Sequence, residues 1–361
     1  MHRLRLVLAG FLLAAPLAAQ APSLPAAAEL LLEALRAETG SPGLSAAVAI
    51  DGKVVWSQGF GEAQVELKVP ATSETVYRLG SVSKLLTVAA LARLVEEGKL
   101  DLDAPVQKYV PTFPDKGTPI TPRQLAGHLA GIRHYIGADF ARPPKRYERV
   151  LDGLEIFAGD PLLHPPGTKY FYTSYGYNLL GAVVEAAAGK SYAEAVDELV
   201  IRPLGLAATR LDFGERIVPN RSGFYAKNGE GIANERTIDS SSKWPSAGYL
   251  STVLDLVRFG SAHLADGYLK PETRALLFTS QSTADGKETG VGLGWRIGTS
   301  ASGLRFYHHG GAIEGGRAFL LLVPDHKLAV AILTNLSRAA FDEDEALGLA
   351  ELFLDGVRSS G

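Results

Sequence analysis

No cysteine occurs in the 361 residues, which excludes a disulfide scaffold, a thiolate zinc site, an iron–sulfur cluster and a cysteine nucleophile. Methionine is confined to Met1, so the rest of the chain offers no thiol or thioether to oxidants. Gly-x-Ser-x-Gly is also missing, and with it the nucleophile elbow of the α/β-hydrolases. Ala188-Gly189-Lys190-Ser191 looks like the end of a phosphate loop, but Val184 stands where its first glycine must be. There is no basic surplus either. A formal net charge of −3 gives no support to nucleic-acid binding. What remains is 46% hydrophobic and 21% charged, an ordinary globular balance that excludes disorder and leaves room for one large domain or two.

Arg3 and Arg5 precede the apolar run Leu6–Leu17, and Ala18-Ala19-Gln20-Ala21 supplies small residues. That is the pattern of a secretory signal peptide over residues 1–19, cleaved after Ala19; cleavage after Ala21 would put Pro22 next to the scissile bond. A run of about a dozen residues is shorter than the ~20 needed to span a bilayer. The expectation is a secreted or periplasmic bacterial protein with no stable membrane insertion once the signal is removed.

Ala26–Thr39 has helical spacing and stops at Gly40-Ser41-Pro42-Gly43. Leu44–Ile50 and Lys53–Gly59 read as strands joined by Asp51-Gly52, whose two residues tolerate the positive φ of a tight hairpin. Val82–Glu97 is helical up to Gly98, and helical or loop-rich sequence continues to about residue 240. Leu304–His308, Arg317–Val323 and Leu328–Thr334 read as strands, and Glu343–Val357 as a closing helix. Strands at both ends of a helical middle predict one antiparallel sheet domain from 24–75 and 245–361, with a mainly helical domain inserted at 76–244. The chemistry is expected between the two, where clefts form.

Three segments could carry that chemistry. In Gly80-Ser81-Val82-Ser83-Lys84 a loop enters the long helix, so Ser81 and Lys84 share a face one turn apart. A partly desolvated lysine can take a hydroxyl proton and activate the serine, and the helix N-terminus supplies N–H groups for an oxyanion. The tetrapeptide alone is also what a helix cap looks like, and Ser240-Ser241-Ser242-Lys243 repeats its spacing without a following periodic helix. In the second segment a Pro166-Gly167 turn leads into Tyr170, Tyr172, Tyr175 and Tyr177. A phenol near an ammonium has its pKa lowered, so Tyr172 could shuttle a proton, although tyrosines also pack domain junctions. The third, Phe306-Tyr307-His308-His309-Gly310-Gly311, is a strand whose glycines would let a substrate backbone lie along its edge. A metal site at the paired histidines is rejected because adjacent strand residues point to opposite faces. The remaining histidines form no ligand-spaced cluster with carboxylates.

In order, Ser81-x-x-Lys84, Tyr172-x-Ser174 and His308-x-Gly310 resemble the three motifs of the serine β-lactamase and penicillin-binding protein superfamily, class C-like branch. Longer stretches are most similar to the mitochondrial β-lactamase-like serine proteases and their bacterial relatives. They are Gly98–Asp103, Pro105–Pro111, Gly131-Ile132-Arg133-His134-Tyr135, Lys243-Trp244 and Leu250-Ser251-Thr252.

The resemblance implies an α+β fold with a five-stranded antiparallel sheet, flanking helices and an inserted helical domain. It implies acyl transfer without metal or cofactor: Ser81 attacks a carbonyl, Lys84 and Tyr172 manage the proton, and the N–H groups of Ser81 and Gly311 hold the oxyanion. Ser174, His308 and Gly310 would contact a small peptide, ester or β-lactam substrate. Two departures from the family pattern stand out, Ser174 in place of asparagine and His308 in place of lysine. Histidine is mostly neutral near pH 7 and attracts a β-lactam carboxylate less than lysine does, which favours a peptidase or esterase over a true β-lactamase. A non-catalytic peptidoglycan-binding or scaffold protein is the reading from another class, and it would need no proton-transfer pair.

Overall fold

The computed structural model describes residues 23–140, 145–229 and 231–360. Residues 1–19, on which the signal-peptide expectation rests, lie outside them.

The chain starts with helix α1, Leu24–Thr39, and a hairpin of β1, Gly43–Ile50, and β2, Lys53–Gln64. Asp51 and Gly52 both take positive φ at its turn, 49° and 76°, as that dipeptide favours. After the short β3, Val69–Pro70, the chain leaves the sheet. It passes through the long helices α2, Ser83–Glu96, α3, Ser174–Ala188, and α4, Val253–Leu264. It then returns with β4, Arg296–Thr299, β5, Arg305–Ile313, β6, Gly316–Val323, and β7, Leu328–Thr334, and closes with α5, Glu343–Ser360. The sheet order is β3-β2-β1-β7-β6-β5-β4, every neighbour antiparallel.

The expected five strands are therefore seven. β3 and β4 are edge strands of two and four residues, too short to show alternation. β2 also runs five residues past the expected end at Gly59. Gly59 lies within the strand, where an added Cβ would stand 2.3 Å from the Ala71 backbone. A Cβ added to Gly61, which has φ 67°, would likewise stand 2.1 Å from Pro42 O. Close approach of neighbouring chain requires both glycines.

The period of two sorts the central strands cleanly onto two faces. Ala46, Val48, Leu321, Val323, Val330 and Ile332 pack with Leu32 and Leu35 of α1 and Leu349 and Phe353 of α5. Ala47, Ala49, Leu320, Leu322, Ala331 and Leu333 pack with Val257 and Phe259 of α4 and, in the same continuous cluster, with α2 and α3. Helix α2 is buried around nearly its whole circumference, the mark of a central helix rather than a surface one. Among the described residues no helix is long and apolar enough to cross a membrane.

Pairing of β4 with β5 covers only Arg305–His308. From His309 to Ile313 the edge of β5 runs instead past the turn that begins α2, which is what positions the site. Leu320→Ala, on the fully buried helix-facing side of β6, should cost about 2–5 kcal/mol of unfolding free energy in a urea titration.

Candidate active site

Gly80–Val82 forms a 3₁₀ turn that runs directly into α2. Ser81 thus sits where backbone amides have no partner one turn earlier. Two glycines let β5 close on this turn. Gly80 has φ 50°, and a Cβ on it would stand 2.7 Å from Ala312 N. A Cβ on Gly311 would stand 2.0 Å from Leu79 O and 2.9 Å from Ser81 N. The backbones of Ser81 and Gly311 are therefore in contact, and no side chain fits between them.

One turn along α2, Lys84 is fully buried. Its ammonium donates to Ser81 Oγ at 3.1 Å, Ser174 Oγ at 3.1 Å and Ser246 O at 2.9 Å, one bond for each of its protons. Burial holds the Lys84 pKa below the ordinary lysine value. Tyr172 lies alongside, its ring centroid 5.0 Å from Lys84 Nζ. Burial opposes ionisation of this phenol, but the Lys84 ammonium, the Ser81 hydroxyl and the Arg296 guanidinium outweigh it, and its pKa falls below 10. The structure thus brings Ser81, Lys84, Tyr172, Ser174, Gly310 and Gly311 together.

Strand alternation decides the two adjacent histidines. His309 faces Tyr172, with ring centroids 6.3 Å apart. His308 packs against Phe306 and Phe319, at 5.3 and 5.4 Å, and lines the wall of the same cleft as Ser81 and Tyr172. Burial and then the nearby Arg296 push the His308 pKa down to about 4, and burial with repulsion from Lys84 and Arg296 puts His309 well below its ordinary value too. Both rings are neutral near pH 7. Ser174, expected to face substrate, instead spends its hydroxyl on Lys84.

The cation the motif reading looked for at position 308 is supplied next door. Arg296 of β4, paired in register with His308, places its guanidinium carbon 5.8 Å from the Tyr172 ring. Nothing in its local sequence marked it, because the short β4 has no pattern. His128, seen in the sequence only as a histidine without a metal cluster, and His134, which lies in the family-like stretch Gly131–Tyr135, also flank Tyr172, at ring-centroid distances of 4.5 and 5.6 Å. The repeated motif at Ser240–Lys243 has no such surroundings: Ser240 Oγ donates to Asp212 O, and Lys243 Nζ is 3.7 Å from Glu314 Oε2.

A cleft of about 610 Å³ opens over Ser81, lined by Tyr170, Tyr172, Arg296, His309 and Gly310 among others. On the other side of Ala312 a second hollow of about 710 Å³ is lined by Tyr135, Lys243, Ile313 and Glu314. A chain-like substrate lying along β5 would reach both.

This assembly has the parts of acyl transfer: a hydroxyl beside a buried lysine, a phenol inclined to ionise, and backbone amides at a helix start. The beta-lactamase family model matches residues 28–354. The chain belongs to the beta-lactamase family. Its relatives include the human mitochondrial serine beta-lactamase-like protein LACTB, 32% identical over 389 residues that cover 82% of this chain and 71% of the relative. Among solved structures, the octameric penicillin-binding protein homologue from Pyrococcus abyssi superposes with a TM-score of 0.80 at 28% identity, over 91% of this chain and 77% of that one. A D-stereospecific amidohydrolase from a Streptomyces species gives 0.76 at 25% identity, over 90% and 98%. The chain is a serine hydrolase with the beta-lactamase and transpeptidase-like fold.

These relatives correct one expectation. The human, bovine and mouse proteins, 31–32% identical, are mitochondrial. Membership of this family branch therefore does not carry a bacterial envelope address, and the secreted or periplasmic assignment is withdrawn.

Because no Cβ fits between Gly311 and the Ser81 turn, Gly311→Ala should push the two backbones apart locally while the far-UV circular dichroism spectrum stays close to that of the parent. The substitution should slow hydrolysis of a p-nitrophenyl ester by about 10²–10³, the usual loss when one oxyanion donor is displaced. Undiminished hydrolysis by the folded variant would show that this contact is not part of the site.

Proposed function

We propose that the protein cleaves a peptide, amide or ester bond through an acyl-enzyme on Ser81, in a cleft between a sheet unit, 24–75 and 245–361, and a helical unit, 76–244. The observation that carries the reading is the buried Lys84 ammonium within hydrogen-bonding distance of Ser81 Oγ, with Tyr172 beside it. A binding or scaffold protein gains nothing from burying a cation at that cost.

The surroundings also divide the labour. The Ser246 carbonyl accepts one Lys84 proton, and the Tyr172 phenol beside it favours the ammonium form against burial. Tyr172, drawn toward phenolate by that ammonium, is then the base. It takes the Ser81 hydroxyl proton as Oγ bonds to the substrate carbonyl carbon, whose oxygen becomes an oxyanion facing the Ser81 and Gly311 amides. Tyr172 returns the proton to the leaving nitrogen or oxygen as that bond to carbon breaks. Water, deprotonated by Tyr172, attacks the acyl carbon next, and Ser81 Oγ leaves with the proton.

Arg296 bears on which substrate is used. A guanidinium is cationic at every working pH, and its place in the cleft supports a substrate with a carboxylate or polarised carbonyl on the leaving side. The second reading, a true β-lactamase, draws on this same cation, since a β-lactam carries such a carboxylate. Against it stands His308, an uncharged ring on the wall of this cleft where the family pattern has a lysine. The amidohydrolase likeness favours small amides, and D-amino-acid amides belong in any substrate panel.

Tyr172→Phe keeps the ring and removes the proton carrier, so kcat should fall by roughly 10²–10⁴ with an unchanged melting temperature. The pH profile supplies the sign test. Arg296 favours the phenolate, so Arg296→Met should raise the Tyr172 pKa and move the acid limb of kcat/KM for a neutral p-nitrophenyl ester to higher pH. A limb that stays put, or moves down, would remove Tyr172 from the role of base.

A further inference from the structure

Tyr172 and Ser174 hold their places through a backbone segment that two histidines grip from one side. Thr173 N donates to His128 Nδ1 at 3.2 Å, and Ser174 N, the next amide, donates to His134 Nδ1 at 3.1 Å. His128 grips the segment a second time, its own carbonyl accepting from Phe171 N at 2.9 Å. These amides stand at the start of α3, where intrahelical partners are lacking. Thr173 caps the helix by accepting from Gly176 N, and its own hydroxyl donates to Arg133 O at 2.6 Å.

The rings do more than accept. His128 lies against Tyr172 at 4.5 Å and Tyr177 at 5.1 Å, and His134 meets the Tyr172 ring edge-on at 5.6 Å. His128 also has φ 59°, a left-handed conformation uncommon for a residue with a side chain and found at constrained functional positions.

We infer that His128 and His134 are positioning residues: as neutral Nδ1 acceptors for consecutive amides they fix the Tyr172–Ser174 backbone, and through it the phenol and the hydroxyl that meet Ser81 and Lys84. The inference rests on the acyl-enzyme reading and names the element that aligns its base.

The role requires each Nδ1 to keep its lone pair. The charged and titratable groups facing His128 are Lys84, Arg296, His309 and His134, with Tyr170, Tyr172 and Tyr177 around the ring. Those facing His134 are Lys84, His128, Tyr172 and Tyr135. Desolvation, then the Lys84 cation, disfavours a proton on either ring, and the His134 pKa is pushed down to about 4.

Asparagine separates positioning from mere packing. Its Oδ1 stands near the place of Nδ1, it accepts from the same amide, and it tolerates left-handed φ. His128→Leu and His134→Leu remove the acceptor and keep apolar bulk. His134 is half-buried, so its variants stay informative if a His128 variant fails to fold. With a neutral p-nitrophenyl ester, each leucine variant should lose about 100-fold in kcat with KM changed less than threefold, the scale of a small misplacement of a catalytic group. Each asparagine variant should recover to within tenfold of the parent at the same melting temperature as its leucine counterpart. If asparagine and leucine variants are equally impaired, or equally active, the acceptor role is wrong. Labelling of the parent by a fluorophosphonate keeps the two ideas apart. Failure to label Ser81 would overturn the acyl-enzyme reading, whereas normal Ser81 labelling with no asparagine–leucine difference overturns only the histidine clamp.

Discussion

An ammonium group buried in the centre of the molecule is the constraint on which the rest of the structure depends. Taking a lone cation out of water costs several kcal/mol even after the protein relaxes, and the cost is offset only if its protons are all bonded. Lys84 meets that condition with acceptors from three separate stretches: the turn before α2, the start of α3, and the short helix at Trp244–Ala247. Those stretches lie up to 165 positions apart along the chain from Ser81 to Ser246. Their meeting is what assembles the site, so the bonds that stabilise the buried charge also align the nucleophile.

The second constraint is steric. A strand edge can serve a reacting carbonyl only if its backbone reaches the nucleophile's own amide, and Gly80 and Gly311 remove the two Cβ atoms that would prevent this. Around that contact the electrostatics are one-sided. Lys84 and Arg296 face Tyr172, while the neighbouring histidines are kept neutral, so positive charge is concentrated where a phenolate and then an oxyanion form.

Much of this was legible in the sequence, for reasons that can be named. The faces of β1, β6 and β7, the Asp51-Gly52 turn and the long helices follow from periodicity and turn chemistry. Ser81 with Lys84 follows from helical spacing, and Tyr172 and Gly311 from their place in a family pattern. What escaped was set by tertiary contact. The glycines of β2 look like a strand end unless the neighbouring chain is known, and β3 and β4 are too short to have a period. Arg296 becomes significant only when β4 pairs with β5. The His308–His309 pair shows the limit most clearly: the alternation that ruled out a joint metal site also means that only one of them faces Tyr172. Position in a motif singled out the other.

The central claim is that Ser81, activated beside Lys84 and Tyr172, carries the acyl group during turnover. The most direct measurement is rapid acid quenching of the protein during hydrolysis of a slowly deacylated p-nitrophenyl ester, followed by peptide mass spectrometry. The account predicts one acyl group, on the peptide containing Ser81, absent from a Ser81→Ala variant that no longer turns over. Turnover that survives in Ser81→Ala, or an acyl group found on Ser240 instead, would contradict it.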